Sequence, residues 1–201
     1  MVKEKMDMLT VEIVNKWMEL FYEKISEKKA YLSELDTPIG DGDHGNNMMR
    51  GMQGVKDGLE KLENPDLKET FKAIAMALIS KVGGAAGPLY GTAFLEMAKN
   101  CEESQAPADL FRYALDGIKK RGGASVGDKT LVDVWTPVVD NLGKDELVVE
   151  VVQKAAEGTK NLVAKKGRAS YLGERSAGHL DPGAVSSCYL FESFIEAGGI
   201  K

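Results

Sequence analysis

Cysteine, histidine and long apolar runs are all scarce in this chain of 201 residues. The two cysteines, Cys101 and Cys188, are far apart and form no Cys-x-x-Cys pair, which predicts buried, reduced, structural thiols in the cytosol. No stretch approaches the roughly 20 apolar residues that a membrane span needs, and the N-terminal sequence MVKEKMDMLT has no signal-peptide core. We therefore expect a cytoplasmic protein with no membrane partner.

Positive charge is also in deficit, since the formal net charge is -5. Nucleic acids bind basic surfaces, so this balance argues against a nucleic-acid partner. His44 and His179 are the only histidines, and neither has an adjacent Ser or Cys partner. The sequence therefore shows no constellation for nucleophilic hydrolysis.

Helical periodicity is the dominant pattern. Val14, Met18, Phe21 and Ile25 recur at the three-and-four spacing of one helix face, with Thr10 available as the N-cap. Further stripes run through 48–62, 67–78, 110–118, 131–142 and 148–163, and helical composition marks 89–98 and 182–197. No clear run alternates polar and apolar residues, so we predict an all-α fold of about eight helices in one domain, 1–201.

The connections between these helices are unusually rich in glycine. Four of them stand out, at 37–47, 82–91, 121–130 and 165–183. A loop in a helical bundle needs only a few polar residues and a single glycine where the preceding helix ends. The excess indicates backbone that approaches a ligand closely.

The first of these loops lies in the segment LDTPIGDGDHGNN, 35–47. It satisfies the dinucleotide-binding pattern G-x-G-x-x-G, but the required preceding strand is missing. A calcium loop is excluded because the twelfth position, Met52, is not a bidentate Glu. Asp36, Asp41 and Asp43 remain, either as turn formers and helix caps or as ligands of a hard cation such as magnesium. Three carboxylates in one loop favour metal binding.

The third loop reads GGASVGDKT, 122–130, and narrowly misses the phosphate-loop pattern. Asp128 is inserted before Lys129, and a helix precedes the loop where a strand is required. Backbone N–H groups of this loop and of 82–91 could still face an anion, although each loop alone is more often a tight turn. In the last connection Arg168 and Arg175 suit phosphate oxygens or, alternatively, surface ion pairs.

Four segments, in order, carry a family resemblance: LDTPIGDGDHGNNMMRG, GGAAGPLYGTAF, RGGASVGDKTLVDVWTPV and GRASYLGERSAGHLDPGA. Together they resemble the nucleotide-binding L subunit of bacterial dihydroxyacetone kinase of the phosphotransferase-dependent type. They also resemble the C-terminal nucleotide domain of single-chain dihydroxyacetone kinases. The resemblance implies a barrel of antiparallel amphipathic helices with the nucleotide at one end.

The resemblance also implies the site residues. Asp36, Asp41 and Asp43 would hold two Mg²⁺ ions against the phosphates of a tightly bound ADP or ATP. The implied nucleotide contacts are His44, Gly45, Asn46, Asn47, Ala85, Ala86, Gly127, Thr136, Arg168, Asp181, Pro182 and Gly183. Many relatives have serine where Ala86 stands, and the family varies at Thr136. No side chain is implied as nucleophile or base, because magnesium and Arg168 would position the phosphates.

Partners follow from the same resemblance. A separate K subunit would hold dihydroxyacetone, and a phosphohistidine-carrying M subunit of the phosphotransferase system would rephosphorylate ADP in place. The alternatives are an L subunit that uses exchangeable free ATP or serves another substrate subunit. A further alternative, of another class, is a binding module whose nucleotide state signals to a transcription regulator.

Overall fold

The computed structural model describes residues 8–200, so the ends of the predicted domain 1–201 lie outside the described residues. The described chain forms eight α-helices and no strand, which confirms the all-α prediction. The helices are α1 (Val11–Asp36), α2 (His44–Leu59), α3 (Leu67–Lys81), α4 (Ala86–Asn100), α5 (Pro107–Gly122), α6 (Val132–Leu142), α7 (Val149–Gly158) and α8 (Pro182–Glu196). Two 3-10 helices, Thr159–Asn161 and Arg168–Ser176, lie between α7 and α8.

The helices form a closed ring. Each helix packs against the next one along the chain, and α8 returns to pack against α1. Except between α7 and α8, the connections between packed neighbours are short and make successive helices antiparallel, so alternate connections lie at the same end of the ring. The four glycine-rich connections follow α1, α3, α5 and α7 and therefore share one end.

Aromatic side chains fill the interior of the ring. Trp17 is fully buried and packs against Phe94, Phe111 and Phe194, with ring centroids 5.1–5.6 Å apart. Its indole N–H donates to the carbonyl of Leu190 at 2.7 Å, which satisfies the polar atom that burial would otherwise strand. This core fixes α1, α4, α5 and α8 relative to one another.

Local signals set several helix ends as the sequence predicts. The Thr10 hydroxyl accepts the Ile13 N–H at 3.3 Å at the start of α1. At the start of α8 the Asp181 carboxylate accepts the Ala184 N–H at 2.7 Å, with Pro182 as the first helical residue. The predicted Thr10 cap is confirmed, and Asp181 caps α8 in the same way.

The last connection differs most from the prediction. The prediction that one helix continues through 148–163 is wrong beyond Gly158, because α7 ends there and a 3-10 turn follows. The carbonyls of Thr159 and Leu162 accept hydrogen bonds from the side chain of Lys129, and the Thr159 carbonyl also accepts the Leu162 N–H of the 3-10 turn. The segment 165–183, expected as a loop, contains the 3-10 helix Arg168–Ser176.

Both cysteines are buried and unpaired, as predicted. In residues 8–200, no helix combines the length and the apolar character needed to cross a membrane.

Gly45 allows α1 and α2 to approach closely. A Cβ at this position would lie 1.9 Å from the carbonyl oxygen of Lys29. We expect Gly45→Ala to lower the free energy of unfolding by about 1–3 kcal/mol, since backbone cannot move aside cheaply. Gly58→Ala in the same helix meets no atom within 4 Å and should raise it by about 1 kcal/mol through helix propensity. Urea unfolding measures the free energy of unfolding of the two variants. An equal increase in both would contradict the close approach of α1 and α2 at Gly45.

Candidate functional site

A cleft of about 500 Å³ lies at the end of the ring where the four glycine-rich connections meet. All four contribute to its lining, which runs from the aspartate loop after α1 to the first turn of α8. The ring topology therefore brings together segments that are distant in sequence.

Three carboxylates lie together at this cleft. Asp36, Asp41 and Asp43 each offer an oxygen atom, and these oxygens lie within 4.8 Å of one another. Asp36 ends α1, and one of its oxygens accepts the N–H groups of Asp43 at 3.0 Å and His44 at 3.2 Å. A Cβ at Gly40 would lie 2.0 Å from the other oxygen, so this glycine lets the loop cross over the carboxylate. An all-oxygen donor set of this kind fits magnesium.

The cluster carries excess negative charge. Partial burial raises the pKa of Asp41, and the neighbouring Asp43 raises it further, whereas Arg168 lowers it. The Arg168 guanidinium lies 3.0 Å from an Asp41 oxygen in a solvent-exposed ion pair. An exposed pair contributes little stability, so Arg168 offsets only part of the repulsion. The site is arranged to accept a further cation.

His44 is the first residue of α2 and is buried at the cleft. Its Nε2 lies 2.9 Å from the Ser186 hydroxyl, and the contacts continue through Tyr90 and Ser187 to the indole N–H of Trp135. Burial lowers the pKa of His44 to about 4, so the ring is neutral at neutral pH. The imidazole is therefore a positioned polar group and a poor general base.

Two helix N-termini face the cleft. Ala85 and Ala86 line it at the start of α4, where no side chain caps the helix. Asp181, Pro182 and Gly183 line it at the start of α8. The first N–H groups of a helix lack intrahelical acceptors and favour an anion. This holds most clearly at α4, because at α8 Pro182 has no N–H and the Ala184 N–H already donates to the Asp181 carboxylate. Phosphate groups suit this part of the cleft.

The third loop is held by buried polar side chains. The Asp133 carboxylate accepts the Gly127 N–H at 2.5 Å and the Thr130 N–H at 2.7 Å. Lys129 is 1% exposed, and its ammonium donates to the carbonyls of Thr159 and Leu162. Two buried charges thus fix a loop that the sequence marked only by its glycines.

Eleven of the fifteen predicted site residues line the cleft: Asp36, Asp41, Asp43, His44, Asn47, Ala85, Ala86, Arg168, Asp181, Pro182 and Gly183. The other four, Gly45, Asn46, Gly127 and Thr136, lie outside its lining. Gly45 packs on α1, Asn46 is exposed in the first turn of α2, and Gly127 belongs to the loop held by Asp133. Thr136 lies on α6 with its hydroxyl buried and without a hydrogen-bond partner in the described structure. Their predicted nucleotide contacts stay predictions.

Several lining residues escaped the sequence argument. Arg121 and Lys166 add positive charge, and Leu89, Ile118 and Val132 form an apolar wall. Arg121 is the first residue of the third glycine-rich connection, 121–130, so its position at a helix end was the available signal. The apolar residues of the wall carry no such signal in the sequence, because their spacing is that of ordinary core positions.

Asp181 should give the unliganded protein a pH-dependent stability. Burial raises the pKa of its carboxyl to about 7, against the opposing effects of the Ala184 N–H and of Lys129. The pKa of this carboxyl in the folded protein is above its usual value of 3.8. The free energy of unfolding therefore falls as the pH rises from about 4 to 7, by up to about 1.4 kcal/mol per pH unit.

Asp181→Asn keeps a good N-cap residue and removes the titrating carboxyl. The free energy of unfolding of the variant should therefore rise relative to that of the wild type between pH 5 and pH 8. Urea unfolding in EDTA at both pH values measures it. Parallel pH profiles for the two proteins would contradict the assignment.

Comparison with known proteins places the chain in a family. A model of the DAK2 domain matches residues 38–196. The chain belongs to the DAK2 domain family. It is 51% identical to the ADP-binding subunit of the PTS-dependent dihydroxyacetone kinase of Lactococcus lactis, over 94% of this chain and 98% of that protein. It is 39% identical to the corresponding subunit of the PEP-dependent enzyme of Escherichia coli, over 93% and 96%. The predicted membership of the dihydroxyacetone kinase family, and of the phosphotransferase class, is confirmed.

The fold also has a solved counterpart. The dihydroxyacetone kinase of C. freundii, in complex with AMP-PNP and Mg²⁺, matches 98% of this chain with a TM-score of 0.75 at 23% identity. This chain spans 36% of that one. The match supports the helical fold described above.

Proposed function

We propose that this chain is the nucleotide-binding subunit of a dihydroxyacetone kinase. It holds ADP or ATP through Mg²⁺ at Asp36, Asp41 and Asp43 and donates the phosphoryl group to dihydroxyacetone on a separate K subunit. The observation that carries the proposal is the cluster of three carboxylate oxygens within 4.8 Å beside two helix N-termini.

Charge accounting favours two magnesium ions. ADP brings about three negative charges, and the aspartates bring three more. A single divalent cation would leave strong repulsion, whereas two such ions with Arg168, Arg121 and Lys166 bring the sum close to neutral. A cation on Asp41 would also release Arg168 from its ion pair, and the guanidinium could then bind phosphate oxygens.

The lining also favours a nucleotide over a simple phosphate. Asp36 at the end of α1 and the two aspartates of the loop before α2 supply the carboxylates. Leu89 of α4 and Ile118 of α5 supply an apolar wall. Nucleobases bind through their apolar faces, so we place the base against this wall and the phosphates beside the aspartates. The first turns of α4 and α8 then face the phosphates.

The chain's contribution to transfer is binding and orientation. Magnesium, when bound, would neutralise and align the phosphate oxygens. His44 is neutral and held by Ser186, so it does not take the acceptor's proton. A group that accepts this proton must then come from the K subunit, which holds the acceptor.

The phosphoryl donor follows from the relatives. The subunits from Lactococcus lactis and Escherichia coli are named for PTS- and PEP-dependent enzymes, and this chain covers almost their full length. We therefore propose that ADP remains bound as a coenzyme in the cytoplasm and that a phosphohistidine-carrying M subunit rephosphorylates it in place.

Calorimetry and nucleotide exchange test this function. The protein freed of nucleotide should bind ADP in MgCl₂ and fail to bind it in EDTA. The protein as purified should retain its nucleotide when mixed with radiolabelled ATP. Absence of magnesium-dependent ADP binding would overturn the nucleotide site. Fast exchange would leave that site standing and replace the coenzyme mode with use of free ATP.

A further inference from the structure

Lys129 is a buried lysine in the middle of the third loop. Its side chain is 1% exposed, and its ammonium donates to three carbonyls, those of Thr159 at 2.7 Å, Leu162 at 3.2 Å and His179. An ammonium has three N–H donors. All three are thus used within the protein, and none is left for a phosphate.

The three carbonyls belong to two separate parts of the chain. Thr159 begins the 3-10 turn after α7 and Leu162 follows that turn, and the Thr159 carbonyl also accepts the Leu162 N–H at 3.2 Å. His179 lies two residues before the Asp181 cap of α8. One ammonium therefore joins the third loop, the end of α7 and the start of α8.

The backbone of Lys129 adds independent support. Its φ is 60°, in the left-handed region that favours glycine. A long side chain tolerates that conformation only where the surrounding structure imposes it. The lysine is thus held in a backbone conformation that glycine would adopt freely. This indicates that its side chain is needed for the hydrogen bonds that it makes.

Charges around the ammonium match this position. Burial lowers the pKa of Lys129, while the carboxylates of Asp181 and Asp133 raise it. Asp133 holds the Gly127 and Thr130 N–H groups of the same loop. The buried cation is therefore flanked by the two carboxylates that shape the loop and the start of α8.

We propose that Lys129 is a positioning residue of the nucleotide site, whose ammonium clasps the third loop to the turn after α7 and to His179, two residues before the Asp181 cap of α8. It is not a phosphate ligand, despite its place in the sequence GGASVGDKT. This inference rests on the proposed binding of Mg²⁺–ADP in the cleft. Loss of the clasp should let the start of α8 move away from the phosphates.

Two variants and one control test the clasp. Lys129→Met removes the charge and the three hydrogen bonds of the ammonium, while Lys129→Gly also removes the unfavourable φ and should fold more readily. Lys154→Met changes an exposed lysine of α7 and serves as the control. We expect both Lys129 variants to bind Mg²⁺–ADP roughly 10–100-fold more weakly, as loss of an indirect partner typically does. Lys154→Met should bind it as the wild type does.

Hydrogen exchange of the nucleotide-free protein separates the possible roles. The Gly178 N–H donates to the Lys160 carbonyl and the Asp181 N–H to the Thr159 hydroxyl, so both report on the clasped segment. We expect faster exchange across 159–181 in the Lys129 variants and unchanged exchange in α1 to α3. Propylammonium should partly restore ADP affinity to Lys129→Gly by replacing the missing ammonium.

The outcomes are distinguishable. Weaker ADP binding with unchanged exchange in the nucleotide-free protein would overturn the clasp and make Lys129 a phosphate ligand. Wild-type affinity and exchange in both variants would also overturn it while leaving the proposed function intact. Failure of the wild type itself to bind Mg²⁺–ADP would overturn the proposed function and, with it, the role of Lys129 at a nucleotide site.

Discussion

Asp41→Ala is expected to abolish magnesium-dependent ADP binding while leaving the free energy of unfolding almost unchanged. Asp41 is exposed, and its ion pair with Arg168 is worth no more than about 1 kcal/mol. As a proposed direct metal ligand, however, it should contribute more than the roughly 100-fold that an indirect partner supplies. Without magnesium, loss of one carboxylate also relieves repulsion from Asp36 and Asp43, so the free protein could become slightly more stable.

Asp36→Ala should behave differently. Its carboxylate accepts the N–H groups of Asp43 and His44 at the start of α2, in addition to lying in the carboxylate cluster. We therefore expect loss of ADP binding together with about 1–2 kcal/mol of stability, as for other lost helix caps.

Calorimetry with ADP in MgCl₂ or EDTA, and urea unfolding in EDTA, measure both quantities for each variant. Asp116→Ala changes an exposed aspartate of α5 outside the cleft and is the control. If Asp41→Ala binds ADP with unchanged magnesium dependence, the metal assignment is wrong.

The helices were predictable because their causes are local. Val14, Met18, Phe21 and Ile25 repeat at the spacing of one helix face, and all four are buried. The caps at Thr10 and Asp181 act over three residues. Closure of the ring, by contrast, brings α8 back to α1, and no local pattern encodes that contact. The expectation of a closed barrel came from the family resemblance.

The site was predictable where its residues are close in sequence. Asp36, Asp41 and Asp43 are close together in the sequence, so their number and spacing predict the cluster of carboxylates that the structure shows. The contacts of Lys129 reach carbonyls 30 to 50 residues away, beyond any sequence window. Those same contacts explain why α7 stops near Gly158, although apolar residues continue its stripe.

The last prediction is that this chain alone, with ATP and dihydroxyacetone, makes no dihydroxyacetone phosphate. Phosphoryl transfer needs the acceptor oxygen in line with the γ-phosphoryl group, and such positioning is worth effective concentrations of about 10⁵–10⁸ M. Among the described residues that line the cleft, His44 is neutral and held by Ser186, and Lys129 is enclosed by carbonyls. These groups can hold a nucleotide but offer no site that activates a ketone.

Adding the K subunit should restore turnover, which a coupled assay that reduces dihydroxyacetone phosphate with NADH would follow. In that mixture Arg168→Ala should lower turnover by roughly 100-fold or more, as loss of a group that stabilises developing charge does. Arg175→Ala is the matched comparison, since Arg175 lies in the same 3-10 segment, beyond a kink at Gly173, and outside the lining of the cleft. It should retain most of the activity. Sustained product formation by the highly purified single chain would refute the division between donor and acceptor subunits, because the acceptor would then bind within this cleft.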